Sequence, residues 1–224
     1  MSIDAAKKAA ARAALDELPE SGVLGLGSGS TSKLFIDEVG ALVRTGRRFT
    51  GVPTSIGSRD QALALGIPLL EEGGPWDIAV CVDGADEVDE ALNLIKGGGG
   101  AQTREKIVNR ASRRNIIIVD ASKLSRRLGE RWPVPVEVLR FGHLQTKKLL
   151  GELGTVTLRQ RGGSAWITDA DNLIYDVKVP PIEDPAALDR ALHAVPGVVE
   201  TGLFVKRADL VLVASESGVQ RLMA

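Results

Sequence analysis

Short loops that combine glycine with hydroxyl side chains are the first candidates for chemistry. One of them, GSGST, lies between a short apolar run and a helix-like segment. Backbone N–H groups at a helix N-terminus attract anions, and glycine lets the backbone approach a ligand closely. The loop therefore predicts either a phosphate site formed by Ser28, Gly29, Ser30 and Thr31 or an ordinary tight turn with a hydroxyl cap.

This loop lacks the signatures of the common nucleotide-binding loops. A dinucleotide fingerprint that starts at Gly25 needs glycine or alanine at position 30, which is Ser30. A P-loop needs a Gly-Lys pair after four intervening residues, and the next lysine is Lys33. A nucleophile elbow around Ser28 needs glycine at position 26, which is Leu26. The loop suits a single phosphate better than a nucleotide.

An acidic turn follows the fourth predicted strand directly. Ligands bind at the carboxyl ends of strands in open α/β sheets, so Asp83, Gly84, Ala85 and Asp86 are candidates to line a crevice. The alternative is a solvated acidic turn. The spacing of the acids lacks the alternation and the glycine of a calcium loop, and no histidine accompanies them. We therefore expect no metal here.

Four consecutive glycines follow Lys96. Such a run carries a large conformational entropy cost on folding, so a compensating purpose is expected. One reading is a set of backbone donors that wraps an anionic ligand, with Lys96 as the positive charge and Gly97, Gly98 and Gly99 as the donors. The other reading is a flexible surface linker.

Four more residues could titrate or carry charge, and two of them, Glu105 and Lys123, fall near these loops. Glu105 falls in the first turn of a predicted helix, where it either stabilises the helix dipole or acts as a general base. Lys123 follows a predicted strand and either neutralises a phosphate or is an ordinary surface lysine. His143 and His193 lie away from the acidic loops and are expected to be structural or exposed.

The elements that must position these loops alternate between strand and helix in the first half of the chain. Helices are predicted after a cap at Asp4, after the hydroxyl loop and over 103–112. Strands are predicted at 22–26, 49–52, 67–70, 78–82 and 116–119. This alternation is typical of a mostly parallel sheet covered by helices.

The order changes near position 128 to strand, helix, strand, strand, helix, strand, which is the ferredoxin-like unit. These elements are predicted at 134–138, 143–153, 155–158, 173–179, 185–195 and 198–204. Pro133 and Pro135 favour either an edge position for the first of these strands or a linker-like crossing between the domains. A last apolar strand at 210–213 is expected to return to the first sheet.

We therefore predict an α/β protein with a Rossmann-like mostly parallel sheet domain and a smaller ferredoxin-like α+β domain. The Rossmann-like domain, which carries the candidate loops, is assigned to 1–127 and 206–224, and the ferredoxin-like domain to 128–205.

Composition narrows the possible partners and the location. The chain has 224 residues, 44% of them hydrophobic, and a net charge of −1, which gives no electrostatic reason to expect nucleic acid. No segment approaches the roughly 20 apolar residues of a membrane span, and the N-terminal segment lacks the pattern of a signal peptide. A cytoplasmic protein is expected. The single cysteine, Cys81, excludes an internal disulfide and is expected to be buried.

The ordered series of motifs resembles the ribose-5-phosphate isomerase A family. The motifs are GLGSGST, PTS, DGADE, KGGGG, TREKIV and DASKL, followed by VPVEV, TDADN and PGVVETGLF. The resemblance covers nearly the whole chain. It implies the two domains described above and an aldose–ketose isomerase that interconverts D-ribose 5-phosphate and D-ribulose 5-phosphate without a cofactor or metal. It also implies a homodimer or homotetramer.

The resemblance assigns roles to the candidate residues. Glu105 is the proton acceptor in an enediolate mechanism, and the loop 28–31 contacts the substrate and serves its phosphate. The stretches 83–86 and 96–99 line the sugar, and Lys123 completes the site. Lys7 is a further candidate to approach the phosphate.

Within this assignment, Asp83 is the candidate to assist opening of the furanose ring, Asp86 binds hydroxyl groups, and Lys96 stabilises the developing oxyanion. The sequence departs from the family pattern at Ser28, where many relatives have threonine. It also departs at 168–172, where TDADN replaces the more usual Asp-Asn-Gly-Asn turn.

Two other classes of protein remain as alternatives. A non-catalytic sugar-phosphate sensor would explain the phosphate loop and the acidic turn, but it predicts an attached DNA-binding module, and no basic helix-turn-helix segment is visible. An amino-sugar-phosphate deaminase would explain the carboxylates and lysines, but less specifically than the ordered motifs do.

Overall fold

The computed structural model describes residues 2–223, with only the backbone described for residue 3. Six α-helices are present in this part of the chain: α1 (Ile3–Ala13), α2 (Ser30–Arg44), α3 (Ile56–Ala64), α4 (Gln102–Ala111), α5 (His143–Leu150) and α6 (Pro185–His193). Two short 3₁₀ helices cover Ala14–Glu17 and Ala121–Lys123.

The strands of the same part of the chain are short. They are β1 (Ser21–Leu26), β2 (Arg48–Pro53), β3 (Val80–Asp83), β4 (Glu87–Val88), β5 (Leu94–Ile95), β6 (Asn115–Asp120), β7 (Val134–Val138), β8 (Thr155–Leu158), β9 (Gln160–Arg161), β10 (Ser164–Ala165), β11 (Leu173–Lys178), β12 (Val198–Thr201), β13 (Leu203–Phe204), β14 (Leu210–Ser215) and β15 (Gly218–Met223).

The chain divides into two compact units. The first contains the residues up to Ala85, then Arg104–Lys123, and the residues from Lys206 onward; the second contains Asp86–Thr103 and Leu124–Val205. Residues 86–103 and 124–127, which the sequence places in the larger domain, fall in the second unit. The first of these stretches carries β4 and β5, and β5 pairs with β13 in a three-stranded sheet.

The first unit is built on a six-stranded sheet in the order β15-β14-β6-β3-β1-β2. All neighbouring pairs are parallel except β14 and β15. The strand β1 lies between β2 and β3, which makes this a doubly wound sheet with a switch point at β1. The α/β fold class predicted from the sequence is confirmed, as is the return of the last apolar strand to the first sheet.

Helix α2 shows why the apolar spacing forms this unit. Phe35, Ile36 and Val39 recur at helical intervals, and all three are buried in the same core as Leu24 and Leu26 of β1. An apolar stripe with period 3.6 packs on a sheet in this way. Cys81 on β3 is buried, as predicted.

The second unit contains the ferredoxin-like sheet. Its four strands are antiparallel and follow the order β12-β7-β11-β8, with α5 and α6 in the connections. The predicted strand-helix-strand-strand-helix-strand order is therefore confirmed. A small hairpin formed by β9 and β10, which the sequence analysis did not predict, interrupts it between β8 and β11.

Three local predictions were wrong: the edge position of β7, the cap of α1 at Asp4 and the strand at 67–70. The strand β7 is not at an edge, because β12 and β11 flank it. Pro135 is tolerated there because the ladder with β12 stops at Val136, and Pro135 contributes only its carbonyl, which accepts from the Gly202 N–H at 2.6 Å. The cap of α1 is Ser2, whose hydroxyl accepts from the Ala5 N–H, and not Asp4.

The segment 67–70 does not form the predicted strand. It makes only an isolated bridge between Leu69 and Gly51. The Gly51 N–H donates to the Pro68 carbonyl, and the Leu70 N–H donates to the Gly51 carbonyl. Because Pro68 has no N–H to donate, the pairing cannot extend into a regular ladder.

Candidate active site

The register of the central strands brings three loops to one edge of the first sheet. Leu26 of β1 is aligned with Pro53 of β2 and with Val82 of β3. The next residues along the chain, Gly27 and Asp83, are therefore neighbours where β1 and β3 end. This is the switch point at which doubly wound sheets bind ligands.

Asp83 is buried and is held by three donors. Its Oδ1 atom accepts from the Ser28 N–H at 2.9 Å, the Ser32 hydroxyl at 3.0 Å and the Gly84 N–H at 2.7 Å. Gly27 makes this arrangement possible, since a Cβ atom there would lie 2.2 Å from Asp83 Oδ1. The acidic turn is thus a fixed part of the sheet edge and not the solvated turn that was its alternative.

The hydroxyl of Ser28 joins a cluster of hydroxyl groups. Its Oγ lies 2.7 Å from Thr54 Oγ1, 2.8 Å from Ser55 Oγ and 3.4 Å from Ser58 Oγ. Ser58 in turn donates to the Gly27 carbonyl at 2.7 Å. The PTS motif received no role from the sequence alone. The signal that could have identified Thr54 and Ser55 is their place at the end of β2, next to the hydroxyl loop.

The N-terminus of α2 carries no side-chain cap. The N-cap residue is Gly29, with a φ of +93° that favours glycine, and it makes no side-chain cap to the first turn. The alternative of an ordinary hydroxyl cap on this turn is therefore wrong. Ser30 is exposed and Thr31 is largely buried. N–H groups of a first helical turn have no partner within the helix and suit an anion.

Glu105 reaches the same edge of the sheet through the packing of α4. A Cβ atom on Gly25 of β1 would lie 2.9 Å from Val108 Cγ1 and 2.8 Å from Cys81, so α4 packs closely over β1 and β3. Glu105 lies three residues before Val108 on the same helix face. Because the C-terminus of α4 lies beside the start of β3, where the Arg113 N–H donates to the Ile78 carbonyl, its N-terminus points to the strand ends. Glu105 is only 5% exposed.

The end of β6 completes the sheet edge in the first unit. A Cβ atom on Gly84 would lie 3.9 Å from the carbonyl oxygens of both Ser28 and Ile118, so the loops after β1 and β3 lie against β6. Lys123 ends the 3₁₀ helix that follows β6 and is half-buried. Lys7 is half-buried in α1, and its role stays a prediction.

The other predicted site residues belong to the second unit. Lys96 is 3% exposed, and its Nζ atom lies 5.4 Å from the centre of the Phe204 ring. Its N–H donates to the Gly202 carbonyl at 2.9 Å. The predicted strand 198–204 breaks at Gly202, because a Cβ atom there would lie 2.3 Å from the Lys96 carbonyl. The break between β12 and β13 thus fixes the backbone of Lys96.

The glycine run is packed and is not a flexible linker. A Cβ atom would lie 2.8 Å from Gln102 Oε1 at Gly97, 2.6 Å from Asp86 Oδ1 at Gly98 and 2.6 Å from Trp166 Nε1 at Gly100. The Gly98 N–H donates to Asp86 Oδ2 at 2.7 Å. Asp86 therefore holds this loop, and Gly99 is its exposed tip.

Both histidines lie in the second unit and bond to neighbouring groups. The Nδ1 atom of His143 lies 2.8 Å from the hydroxyl of Tyr175, whose pKa is raised by burial. His193 Nε2 lies 2.8 Å from Glu200 Oε1, so this residue joins α6 to β12. Asp189, His193 and Glu200 have ligand atoms within 4.8 Å of one another, but they lie outside the predicted site.

The fold defines a doubly wound α/β protein with a ferredoxin-like second unit. A family model described as ribose 5-phosphate isomerase A (phosphoriboisomerase A) matches residues 50–218. The chain is 45% identical to the ribose-5-phosphate isomerase A of Gluconobacter oxydans, over 96% of this chain and 94% of that protein. It is 46% identical to that of Gloeobacter violaceus, over 99% and 97%. The chain belongs to the ribose 5-phosphate isomerase A family.

Solved structures agree with this assignment. The ribose 5-phosphate isomerase A of Methanocaldococcus jannaschii is 38% identical, with a TM-score of 0.94 and full coverage of both chains. A D-ribose-5-phosphate isomerase in complex with phospho-erythronic acid is 37% identical, with a TM-score of 0.95 and the same coverage. Among residues 2–223, no helix has both the length and the apolar character that a membrane crossing requires.

Proposed function

We propose that the protein interconverts D-ribose 5-phosphate and D-ribulose 5-phosphate. The observation that carries this proposal is the similarity to relatives of that name along nearly the entire chain. The loops at the sheet edge of the first unit support it, because they offer helix N–H groups for a phosphate and a buried carboxylate for proton transfer.

The proposed chemistry moves one proton between adjacent carbons of the open-chain sugar. The Glu105 carboxylate takes the proton from C2, and the C–H electron pair forms a double bond between C1 and C2 while charge develops on O1. Glu105 then returns the proton to C1, and the O2 proton passes to O1 as O2 becomes the carbonyl oxygen. C2 is oxidised and C1 is reduced, so no external oxidant or reductant is required.

Other site residues are assigned to the charges of the substrate and intermediate. Lys96 and the N–H groups of the glycine loop are proposed to stabilise the enediolate oxygen, for which a single donor contributes about 10²- to 10³-fold in rate. The first turn of α2, with Lys123, is proposed to bind the phosphate, whose binding energy acts away from the reacting carbons.

Asp83 is proposed to assist ring opening. Three donors fix the orientation of its carboxylate, which is what a group acting on one ring oxygen requires. Ser28 is proposed to reach the substrate through its neighbouring N–H groups, since its hydroxyl already bonds within the hydroxyl cluster.

The test is to incubate the purified protein with ribose 5-phosphate in the presence of EDTA and to measure ribulose 5-phosphate. In deuterium oxide, product that carries solvent deuterium at C1 supports the enediolate route, whereas a hydride shift leaves the product unlabelled. Binding of ribose 5-phosphate without turnover would instead support the sensor alternative. Release of ammonia from an amino-sugar phosphate would support the deaminase.

Substitution of Glu105 tests the proposed base. Glu105→Gln keeps the shape of the side chain but cannot accept the proton, so we expect kcat to fall by about 10²- to 10⁴-fold with KM little changed. Glu183→Gln is the matched control, because the Glu183 side chain is 85% exposed and bonds only at the surface with Arg127. Turnover by Glu105→Gln at the rate of this control would remove Glu105 as the base.

Two further expectations belong to this proposal. The family resemblance predicts a homodimer or homotetramer, which sedimentation velocity would measure directly. We also keep the cytoplasmic location expected from the sequence as a proposal, which fractionation of cells would test.

A further inference from the structure

We propose that Arg159 is a positioning residue that holds the glycine loop in the conformation needed for turnover. This inference rests on the proposed function, in which the loop 96–99 contacts the sugar. Arg159 follows β8 in the second unit. It belongs to none of the sequence motifs described above, and its side chain reaches the loop from a distant part of the sequence.

The guanidinium group of Arg159 is fixed by a bidentate ion pair. Its Nε atom lies 3.0 Å from Asp176 Oδ2, and its Nη2 atom bonds to Asp176 Oδ1. The two side chains are only 11% and 22% exposed. A planar, doubly bonded guanidinium in a sheltered position has few alternative orientations. Its remaining nitrogen, Nη1, is therefore aimed in one direction.

That nitrogen donates to two consecutive carbonyls of the loop. Arg159 Nη1 lies 2.5 Å from the Gly97 carbonyl oxygen and 3.3 Å from the Gly98 carbonyl oxygen. In a planar trans peptide, the N–H points opposite to the C=O. Fixing both carbonyls toward Arg159 therefore turns the N–H groups of Gly98 and Gly99 to the other side of the loop.

The bond on that other side agrees with this reasoning. The Gly98 N–H donates to Asp86 Oδ2 at 2.7 Å. The next N–H, that of Gly99, is directed the same way from the exposed tip of the loop. Consecutive N–H groups with a fixed direction form an anion-binding concavity. Arg159 thus orients a donor for the substrate without touching the substrate.

Glycine explains why such a clamp is needed. A run of glycines has many accessible backbone conformations, and each must be excluded for the donors to stay aligned. The packing against Gln102, Asp86 and Trp166 restricts the positions of the glycines. The Gly100 N–H donates to the Gly97 carbonyl at 2.9 Å, and Arg159 joins the carbonyls of Gly97 and Gly98 to one fixed donor. Loss of the guanidinium should leave the sheet formed but weaken the hold on both carbonyls, with the Gly97 carbonyl keeping its bond from the Gly100 N–H.

The test compares Arg159→Met and Arg159→Lys with Arg140→Met. Arg140 bonds to Asp171 at 2.7 Å in the same unit, but the pair is at the surface and does not contact the loop. We expect both Arg159 variants to lose about 10- to 100-fold in kcat, as misplaced catalytic groups do, with the loss larger than any rise in KM. We expect Arg140→Met to retain the wild-type kcat.

Two readouts separate positioning from mere stability. Addition of methylguanidinium to Arg159→Ala should restore part of the lost kcat, because the small cation can occupy the place of the side chain. Amide hydrogen exchange at Gly98 should be faster in Arg159→Met than in the wild type. A lowered melting temperature with unchanged kcat, or an equal loss of kcat in Arg140→Met, would overturn the proposal.

The exchange measurement also distinguishes this inference from the proposed function. If the wild-type protein shows no isomerase turnover but Gly98 exchanges faster in Arg159→Met, the proposed activity fails and the clamp on the loop stands. If the wild type is active and neither kcat nor exchange responds to Arg159→Met, the activity stands and the inference is wrong.

Discussion

Gln102, the first residue of α4, is a buried amide whose replacement should stabilise the protein. It is 0% exposed, and neither Nε2 nor Oε1 has a hydrogen-bond partner among residues 2–223. A buried polar group without a partner costs about 1–3 kcal/mol relative to an apolar group of the same shape. Leucine is close to glutamine in size, and the two have similar helix propensities. Gln102→Leu should therefore raise the free energy of unfolding by about 1–2 kcal/mol.

The same substitution at Gln61 provides a control of opposite sign. The Nε2 atom of Gln61 donates to the Lys33 carbonyl and to Asp37 Oδ1, both at 2.8 Å. Gln61→Leu removes the buried Oε1 atom, which has no hydrogen-bond partner among residues 2–223, but it also loses two hydrogen bonds. The bond to the Asp37 carboxylate contributes about 1.5–3 kcal/mol and the bond to the carbonyl about 0.5–1.5 kcal/mol, so the substitution should lower stability.

Differential scanning calorimetry measures both effects. For a chain of this size, 1 kcal/mol corresponds to about 2–4 °C in Tm, so Gln102→Leu should melt roughly 2–8 °C above the wild type. Gln61→Leu should melt below it. A fall in Tm for Gln102→Leu would refute the reasoning. A shift of the same sign in both variants would also refute it.

Two further predictions concern the first unit. Gly27→Ala should lower stability by about 1–3 kcal/mol or more, because the new methyl group would overlap Asp83. Gly57→Ala in α3 is the control: its methyl group meets only Ser55 Oγ at 3.9 Å, so it should be neutral or stabilising. Urea denaturation of both variants checks this prediction. Burial alone would raise the pKa of Glu17, but hydrogen bonds from Arg221 and Arg114 outweigh it and lower this pKa below its ordinary value. Stabilisation by the Glu17 carboxylate is therefore complete above the unfolded-state value and is lost as the pH falls through the folded-state value. Glu17→Gln should be less stable than the wild type at pH 7 by up to about 1 kcal/mol; the effect is small because Arg114 and Arg221 are well exposed. In acid unfolding curves the difference between the two proteins should vanish. A difference in stability that does not depend on pH would contradict the lowered pKa of Glu17.

Much of the fold could be predicted because its signals are local. The β-branched run at 116–119 and the apolar spacing in α2 report burial and periodicity directly. The errors arose where distant pairing decides the outcome. Pro135 marks an edge in isolation, but its place one residue beyond the end of the β12 ladder makes an interior position possible. Pro68 had the opposite effect and stopped a strand that its apolar neighbours favoured.

The candidate site shows the same division. The hydroxyl loop, the acidic turn and Glu105 could be located because each follows a strand or opens a helix. The hydroxyl groups that surround Ser28 could not be given a role, because they depend on the register of β1 against β2. Arg159 lies 62 residues from the Gly97 carbonyl that it holds, so no local pattern indicates it.

The position of β14 has a consequence for synthesis of the protein on the ribosome. This strand pairs with β6 in the middle of the first sheet, yet Leu124–Val205, the longer part of the second unit, separates the two along the chain. Every residue of β6 is buried in the folded protein. A nascent chain that has emerged only as far as the second unit must therefore leave one side of β6 without its neighbouring strand. Such unpaired apolar strands are prone to aggregation, so this intermediate is the stage at which a chaperone would have most to protect.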